Sequence, residues 1–179
     1  MCGDSAAQYQ EPRYRDGDEV MQTNRGKKFE GQFKQDWMKL PNAFALRLPD
    51  QQSGYYGTSA NPCDFICYSY PNMFLLELKS HGGNTFPLSA FRQYDKLTKY
   101  QGTRGIKVGV VLWMCDHDVV LYIPISTFDK IVAEGGKSFN IKYVGDDNYK
   151  SYVIPSTKKR AYMESDWSYL IDLVATGSV

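Results

Sequence analysis

The chain has 179 residues, of which 42% are hydrophobic and 15% aromatic, and its formal net charge is +1 at pH 7. This size and composition predict one domain with a substantial core. No apolar run approaches the ~20 residues of a membrane helix, and the N-terminus has no secretory signal pattern, so we expect a cytoplasmic protein. Four cysteines in a chain of this size do not indicate the disulfide framework of a small secreted fold.

The charge is unevenly distributed along the chain. Residues 1–23 carry five acidic residues and two arginines, a balance of −3, so the rest of the chain carries +4. The first segment has too few apolar residues to offset the entropy of ordering, and we expect a flexible arm over 1–23 before a single domain over 24–179. The near-neutral total gives little non-specific attraction to nucleic acid, but the body alone is mildly basic.

Hydrophobic periodicity predicts the elements in chain order. A helix is expected over about 27–40, with an apolar stripe on one side and with Pro41 ending it. A strand over 43–48 follows, then a Gly-, Ser- and Gln-rich insertion over 49–62, and then two strands that form a hairpin. The remaining elements are a helix over 88–100, strands over 109–114 and 119–123, a helix from Ser126 to Ala133, a strand pair over 139–144 and 151–154, and a helix over 165–175. This order predicts an α/β fold with a mixed central sheet flanked by helices.

The hairpin carries the strongest chemical signal, because Asp64 lies in its first strand segment and Glu77 and Lys79 lie in its second. A turn at Tyr70-Pro71 pairs residues whose numbers sum to 141, which predicts that Asp64 lies opposite Glu77 with Cβ atoms roughly 5 Å apart. Two like charges at that distance destabilise a sheet unless a cation lies between them, and magnesium prefers oxygen ligands. Alternation places Lys79 on the same face. The hairpin therefore predicts a divalent-metal site.

The alternative is that these three charges are solvated surface residues, since this spacing also occurs by chance. The neighbouring residues argue against it, because Phe65, Ile66 and the run over 74–76 are too apolar for a peripheral hairpin. Charges on a central strand pair are costly to bury unless they serve a function.

Zinc ligation is a weaker interpretation of the cysteines. Cys63 and Cys67 are four residues apart, which is about 13 Å on an extended strand and too far to share one ion. Cys115 and His117 share a face of the next strand pair and could be ligands, but a core thiol and a surface histidine explain them equally well.

Cationic residues outside the hairpin form three clusters, which predict a phosphate track if they flank one active face and are otherwise solvated surface. The clusters are Arg25, Lys27 and Lys28; Lys96, Lys99, Arg104 and Lys107; and Lys158, Lys159 and Arg160.

Together, these motifs resemble the PD-(D/E)xK nuclease superfamily, with Pro62-Cys63-Asp64 and Glu77-Leu78-Lys79 as its signature. Finer features resemble the RecU-type Holliday junction resolvases of Gram-positive bacteria and their phages. They are Asn24-Arg25-Gly26 leading into a helix with Glu30, the thirteen-residue spacing from Asp64 to Glu77, and the run over 84–88 followed by Phe91. The resemblance covers residues 24–130 well and the C-terminal part loosely.

The resemblance implies a restriction-endonuclease-like core and a symmetric homodimer that cleaves four-way DNA junctions in recombination and repair. The cofactor would be Mg²⁺ or Mn²⁺, and the compartment would be the bacterial host cytoplasm for a phage protein. Asp64 and Glu77 would bind the metal, and Lys79 would orient the attacking water or stabilise developing charge. Glu30 would lie near the site as a further catalytic acid, with an ion pair to Lys34 as the alternative.

Two positions bear on details of the resemblance. The family's glutamine on the helix after the second strand aligns with Asp95, which becomes a third candidate metal ligand, whereas Gln93 would face differently on a helix. The insertion over 49–62 occupies the place of the family's stalk, and it has no Lys or Arg. Its Tyr55 and Tyr56 could stack on unpaired bases at a junction or pack onto their own domain.

Three functions follow from these observations. The first is a structure-selective endonuclease that resolves junctions, and the second is a related endonuclease that acts on ordinary duplex DNA. The third is a catalytically silent DNA-binding protein, which would not need Asp64, Glu77 and Lys79.

Overall fold

The computed structural model describes residues 16–49 and 61–179. Residues 1–15 of the predicted arm, and residues 50–60 of the predicted insertion with Tyr55 and Tyr56, lie outside this range. The helices are α1 (Asp16–Trp37), α2 (Tyr94–Leu97), α3 (Ile125–Ala133) and α4 (Ser168–Ala175). The strands are β1 (Ala43–Arg47), β2 (Phe65–Ser69), β3 (Asn72–His81), β4 (Thr85–Pro87), β5 (Ile106–Met114), β6 (Val119–Pro124), β7 (Ser138–Asn140), β8 (Tyr152–Ile154), β9 (Ser156–Lys158) and β10 (Met163–Ser165).

A six-stranded sheet in the order β1-β2-β3-β5-β6-β8 forms the centre of the described chain. The β3–β5 pair is parallel and the other pairs are antiparallel, so the sheet is mixed, as the sequence predicts. Two small sheets, β4–β7 and β9–β10, lie outside it. The predicted α/β class is confirmed.

Each face of the central sheet carries its own core, because neighbouring side chains on a strand point to opposite faces. We call them the α1 core and the α3 core after the helices that cover them. The α1 core includes Phe29, Phe33, Trp37, Phe65, Leu76, Leu78, Val111, Trp113, Trp167 and Leu170. The α3 core includes Leu75, Phe86, Phe91, Leu97, Val110, Leu112, Ile123, Phe128 and Phe139. The result is a three-layer sandwich with β3 and β5 buried in the middle.

The predicted hairpin register is confirmed. Phe65 pairs with Leu76, Ile66 with Leu75 and Cys67 with Phe74, so paired residue numbers sum to 141. Asp64 is one residue before this ladder, at the position that extends it towards Glu77.

The first helix differs from the prediction at both ends. It begins at Asp16, within the segment expected to be an irregular arm, and ends at Trp37 rather than Leu40. Low apolar content is a poor guide to such a segment, because acidic residues are in general favourable at a helix N-terminus. At the other end, Pro41 disfavours the helical conformation of the residue before it.

Other differences fall after residue 87. The helix expected over 88–100 is instead two 3-10 turns around the four-residue α2, and Tyr100, expected to face inward, is 39% exposed. Helix α3 begins directly after Pro124 without a side-chain cap from Ser126. The segments expected to pair with each other do not: β7 pairs with β4, and β8 pairs with β6. The last helix begins at Ser168, since Ser165 belongs to β10.

Within the described ranges, no helix combines the length and the apolarity needed to cross a membrane.

Candidate active site

Asp64 lies one residue before β2, and Glu77 lies within β3. Glu77 alternates with Leu76 and Leu78 of the α1 core, so its side chain lies on the α3-core face, where it is fully buried. The Asp64 carboxylate is anchored by the backbone, because its Oδ2 accepts a hydrogen bond of 2.9 Å from the Leu78 N–H. Lys79 lies on the same face as Glu77, and its Nζ donates to Glu77 Oε1 at 2.7 Å. The three predicted residues therefore form one cluster.

Without a bound cation, the surroundings of Glu77 disfavour its ionised form. Burial, and secondly the negative charge of Asp64, raise the pKa of Glu77 to about 7, while the ammonium of Lys79 opposes the rise. The second carboxylate oxygen, Oε2, is buried and has no hydrogen-bond partner among the described residues. A buried acceptor without a partner is uncommon in a native core and needs an explanation.

A divalent cation fits this donor set. It would occupy the free lone pairs of Glu77 Oε2 and would offset the repulsion between the two carboxylates. Among the residues that the structure describes, no three His, Cys, Asp or Glu side chains lie close enough to hold a metal ion. Two protein carboxylates suffice for magnesium, which usually keeps several waters and takes further oxygens from a phosphate substrate.

Glu30, predicted as a further catalytic acid, is not brought to this cluster. Its Oε2 accepts from Arg47 Nε at 2.6 Å, so the observed partner is Arg47 and not Lys34. Helix α1 packs on the opposite face of the sheet from Glu77. The ion pair ties α1 to the edge strand β1, which is a structural role.

The third predicted metal ligand, Asp95, is also outside the cluster. Asp95 is exposed on α2, while Gln93, two residues earlier, is half-buried and its Oε1 is buried without a partner. Gln93 precedes α2, which covers the α3 core and hence lies on the face that carries Glu77. The segment is not a continuous helix, so the helical spacing that favoured Asp95 over Gln93 does not apply. The sequence predicts Asp95, whereas the buried polar atom on this segment belongs to Gln93.

The cysteines lie in separate environments. Cys63 belongs to the α3 core and Cys67 to the α1 core, so they face different sides of the sheet. Burial, then the charges of Glu77 and Asp64, raise the pKa of Cys63 to about 12, which keeps a neutral thiol beside the acid pair. The thiol donates to the Phe65 carbonyl oxygen at 3.2 Å.

The two other candidate zinc ligands contact different partners. Cys115 Sγ donates to the Trp113 carbonyl oxygen at 3.7 Å, and His117 Nε2 lies 2.8 Å from Asn84 Oδ1. These contacts agree with the interpretation of a core-strand thiol and a surface histidine.

The cationic clusters lie on both sides of the sheet rather than around one face. Exposed Lys27 and Lys28 are on α1, and Arg25 lines a cavity with Lys158, Lys159 and Arg160. By contrast, half-buried Lys96 and exposed Lys99 belong to the segment that covers the α3 core. A single phosphate track along one active face does not describe this arrangement.

No protein-family model matches this chain, and no curated protein matches it. Among solved structures, the chain is similar to Hjc, a Holliday junction resolvase from the archaeal hyperthermophile Archaeoglobus fulgidus. The TM-score is 0.43 at 20% sequence identity, and the match covers 57% of this chain and 78% of the resolvase. A similarity at this level carries no inference about activity, so the function is inferred from the residues of the site.

Proposed function

We propose that this chain is a metal-dependent endonuclease whose active site consists of Asp64, Glu77 and Lys79 within one domain over 24–179. The observation that carries the proposal is the buried, unpartnered Oε2 of Glu77 on the central strand β3, close to the second carboxylate of Asp64. A carboxylate that served only the fold would have its lone pairs satisfied by the protein. In Glu77, one carboxylate oxygen has no partner among the described residues, and the side chain of the neighbouring Lys79 is partly exposed.

Each residue has a role that follows from its contacts. Asp64 and Glu77 would hold a Mg²⁺ or Mn²⁺ ion, which when bound supplies Lewis-acid chemistry at a phosphodiester. The Leu78 N–H fixes the orientation of Asp64. Lys79 donates to Glu77 from a side chain that is 26% exposed, so its remaining N–H groups can hold a phosphate oxygen or orient a water.

The finer proposal is a RecU-type resolvase that acts on four-way DNA junctions as a homodimer. A junction has two equivalent strands to cleave, and a two-fold dimer presents two identical sites to them. Light scattering at micromolar concentration, with and without a junction, should report a dimer. A monomer in both conditions would contradict the resolvase and leave the nuclease proposal standing.

The experiment that tests the function compares cleavage of a mobile four-way junction with that of a matched linear duplex. We expect nicking in Mg²⁺ or Mn²⁺, none in EDTA, and preference for the junction. Equal cleavage of both substrates would favour the duplex endonuclease, and the absence of cleavage with every metal would overturn the proposal.

The insertion provides a second test of junction preference. If Tyr55 and Tyr56 stack on unpaired bases, their replacement by alanine should weaken junction binding several-fold with little change in duplex binding or in salt dependence. A well-folded double variant that loses affinity for both substrates equally would contradict the role of the insertion.

A further inference from the structure

A cavity of about 260 Å³ lies on the α1-core side of the sheet, where β5 ends. It brings together parts of the chain that are far apart in sequence: Arg25 from α1, Trp113 and Asp118 from the β5–β6 hairpin, and Lys158, Lys159 and Arg160 from the β9–β10 turn. We call these six residues the basic pocket. It is separated from Glu77 by the sheet itself and belongs to no site described above.

Four cations and two acids, Asp118 and Asp116, line the cavity, so it has a surplus of positive charge. Asp116 Oδ2 accepts from the Gly83 N–H at 2.6 Å. Lys158 Nζ pairs with Asp118 Oδ2 at 2.6 Å, and Lys159 Nζ pairs with Glu164 at 3.1 Å. Neither Arg25 nor Arg160 forms an ion pair with any acid in the part of the chain that the structure describes. The two guanidinium groups are therefore available to an anion, and arginine matches phosphate geometry with paired N–H donors.

Trp113 provides a second and independent observation. Its side chain packs against Phe29 and is only 4% exposed, and its buried Nε1 has no acceptor among the described residues. An indole N–H can only donate a hydrogen bond. In Trp113 this donor is unpaired within the described ranges, and it belongs to the same cavity as the four cations. The indole N–H is therefore a free donor at the pocket, and an anionic oxygen can accept from it. Asp118 Oδ1, which also lacks a partner among the described residues, is an acceptor and requires a donor such as water rather than an anion.

The turn that carries the lysines is held in place. The Lys159 N–H donates to the Tyr162 carbonyl oxygen at 2.9 Å, which closes the turn. Glu164 accepts from both Lys159 and Lys39, and Lys39 also pairs with buried Asp36 of α1. These contacts fix the turn to α1, so the cations on both elements converge on a built site.

The pocket lies next to the candidate catalytic strand. Trp113 pairs with Ser80 in the β3–β5 ladder, one step beyond the pair of Lys79 and Leu112. Adjacent strands are about 4.8 Å apart, so the two sites are neighbours across the end of the sheet.

We propose that the basic pocket binds a backbone phosphate of DNA that extends from the candidate active site, with Arg25 and Arg160 as the anion-binding groups and Trp113 as the floor. The proposal rests on the proposed nuclease function for its choice of DNA as the ligand. These residues would form a single phosphate contact on the face of the sheet opposite Glu77.

The first test measures binding of a fluorescent junction and a duplex in Ca²⁺. We expect Arg25→Ala and Arg160→Ala each to lower affinity about 3- to 10-fold, and each to reduce the slope of log affinity against log salt by about one phosphate equivalent. Lys137→Ala removes an exposed cation outside the pocket and serves as the charge-matched control. Equal, small losses in all three variants would overturn the proposal.

The second test uses the folded wild-type protein and does not depend on a destabilising substitution. The chain has three tryptophans, and Trp37 Nε1 already donates to the Tyr68 carbonyl oxygen, whereas Trp113 and Trp167 have no acceptor. In a ¹⁵N spectrum, DNA should shift the Trp113 indole signal and leave that of Trp167, whose surroundings include Asp36, Glu164 and Asp166, in place. An unmoved Trp113 signal would contradict the proposal.

Two further arms identify the source of the phosphate. Duplexes with and without a 5′-phosphate should shift the Trp113 signal equally, and inorganic phosphate should shift it only weakly. A shift that required the terminal phosphate would overturn the assignment to the backbone.

These readouts separate the pocket from the nuclease. A wild-type protein that binds DNA through Arg25 and Arg160 but cleaves nothing in Mg²⁺ would overturn the nuclease and leave the pocket. A nuclease whose affinity is indifferent to both arginines would overturn the pocket alone.

Discussion

Two carboxylates are buried in the described part of the chain, Asp36 on α1 and Glu77 on β3, and the protein holds them in different ways. Asp36 Oδ1 accepts hydrogen bonds of 2.8 Å from Gln32 and from Lys39, and Oδ2 accepts one of 2.9 Å from the Ser165 N–H. Both of its oxygens are satisfied by partners on two elements. Asp36 therefore joins α1 to β10, and each of its oxygens has a partner within the chain.

Glu77 is buried as deeply but is satisfied only in part. Lys79 is the donor to Oε1, Oε2 has no partner among the described residues, and the nearby charge of Asp64 is repulsive. The comparison shows that burial alone does not distinguish a structural acid from a functional one. The hydrogen bonding of each oxygen separates the two acids here, because a buried oxygen without a partner is costly and can be stabilised by a ligand or an ordered water.

The largest expected difference between the two acids is in cleavage. Glu77→Gln, Asp64→Asn or Lys79→Ala should each lower the rate of DNA nicking by at least ~100-fold, because the metal site or the adjacent cation is removed. Binding measured in Ca²⁺ should change little for Lys79→Ala. Asp36→Asn is the matched control and should cleave normally per folded molecule. Undiminished nicking by Glu77→Gln would remove the proposed site.

Stability should respond in the opposite order. Asp36→Ala should lower the unfolding free energy by about 2 kcal/mol, since it leaves the buried Ser165 N–H without its acceptor, whereas the exposed Lys39 keeps Glu164 as a partner. At pH 5, where Glu77 is mostly protonated, Glu77→Gln should change it by less than about 1 kcal/mol. Urea unfolding in metal-free buffer measures both values. Similar losses in the two variants would show that Glu77 is also structural.

The pH dependence of stability sharpens the contrast. The pKa of Glu77 is higher in the folded protein than in the unfolded chain. The stability that protonated Glu77 contributes to the fold is therefore fully present below about pH 4.5 and is lost as the pH rises through 7. Between pH 5 and 8 without metal, Glu77→Gln should become more stable than wild type by up to about 3 kcal/mol.

Other carboxylates titrate in both proteins, so only the difference between the two urea-derived profiles reports on Glu77. Addition of Ca²⁺ should reduce that difference at pH 8, because the cation binds the wild-type acid pair and stabilises it. Parallel profiles for wild type and Glu77→Gln would contradict the environment inferred for Glu77.

The smallest expected effect concerns Gln93 and Asp95. Gln93→Ala should lower cleavage about 10-fold, because its buried, unpartnered Oε1 is on the face that carries Glu77. Exposed Asp95→Asn should change the rate by less than about 2-fold. Initial rates under single-turnover conditions distinguish them, and a larger loss for Asp95→Asn would restore the assignment made from the sequence.

The sequence alone determined the elements whose contacts are local. A tight turn at Tyr70-Pro71 and the alternation of side chains are enough to predict the register of β2 against β3, and hence that Asp64, Glu77 and Lys79 share one face. The long β-branched run of β5 and the mixed sheet were predictable for the same reason, because their hydrophobic pattern reflects burial on both faces.

Tertiary structure alone decided the contacts between distant segments. The sequence predicts Lys34 as a possible ion-pair partner of Glu30, but α1 packs against β1 and Glu30 pairs with Arg47. Similarly, β7 pairs with β4 and β8 pairs with β6, although the sequence predicts that the two segments pair with each other. The convergence of Arg25 with residues 158–160 depends on how α1 docks beside the β9–β10 turn. Periodicity encodes which face of an element is apolar but not which element covers it, and that choice follows from the packing of the whole domain.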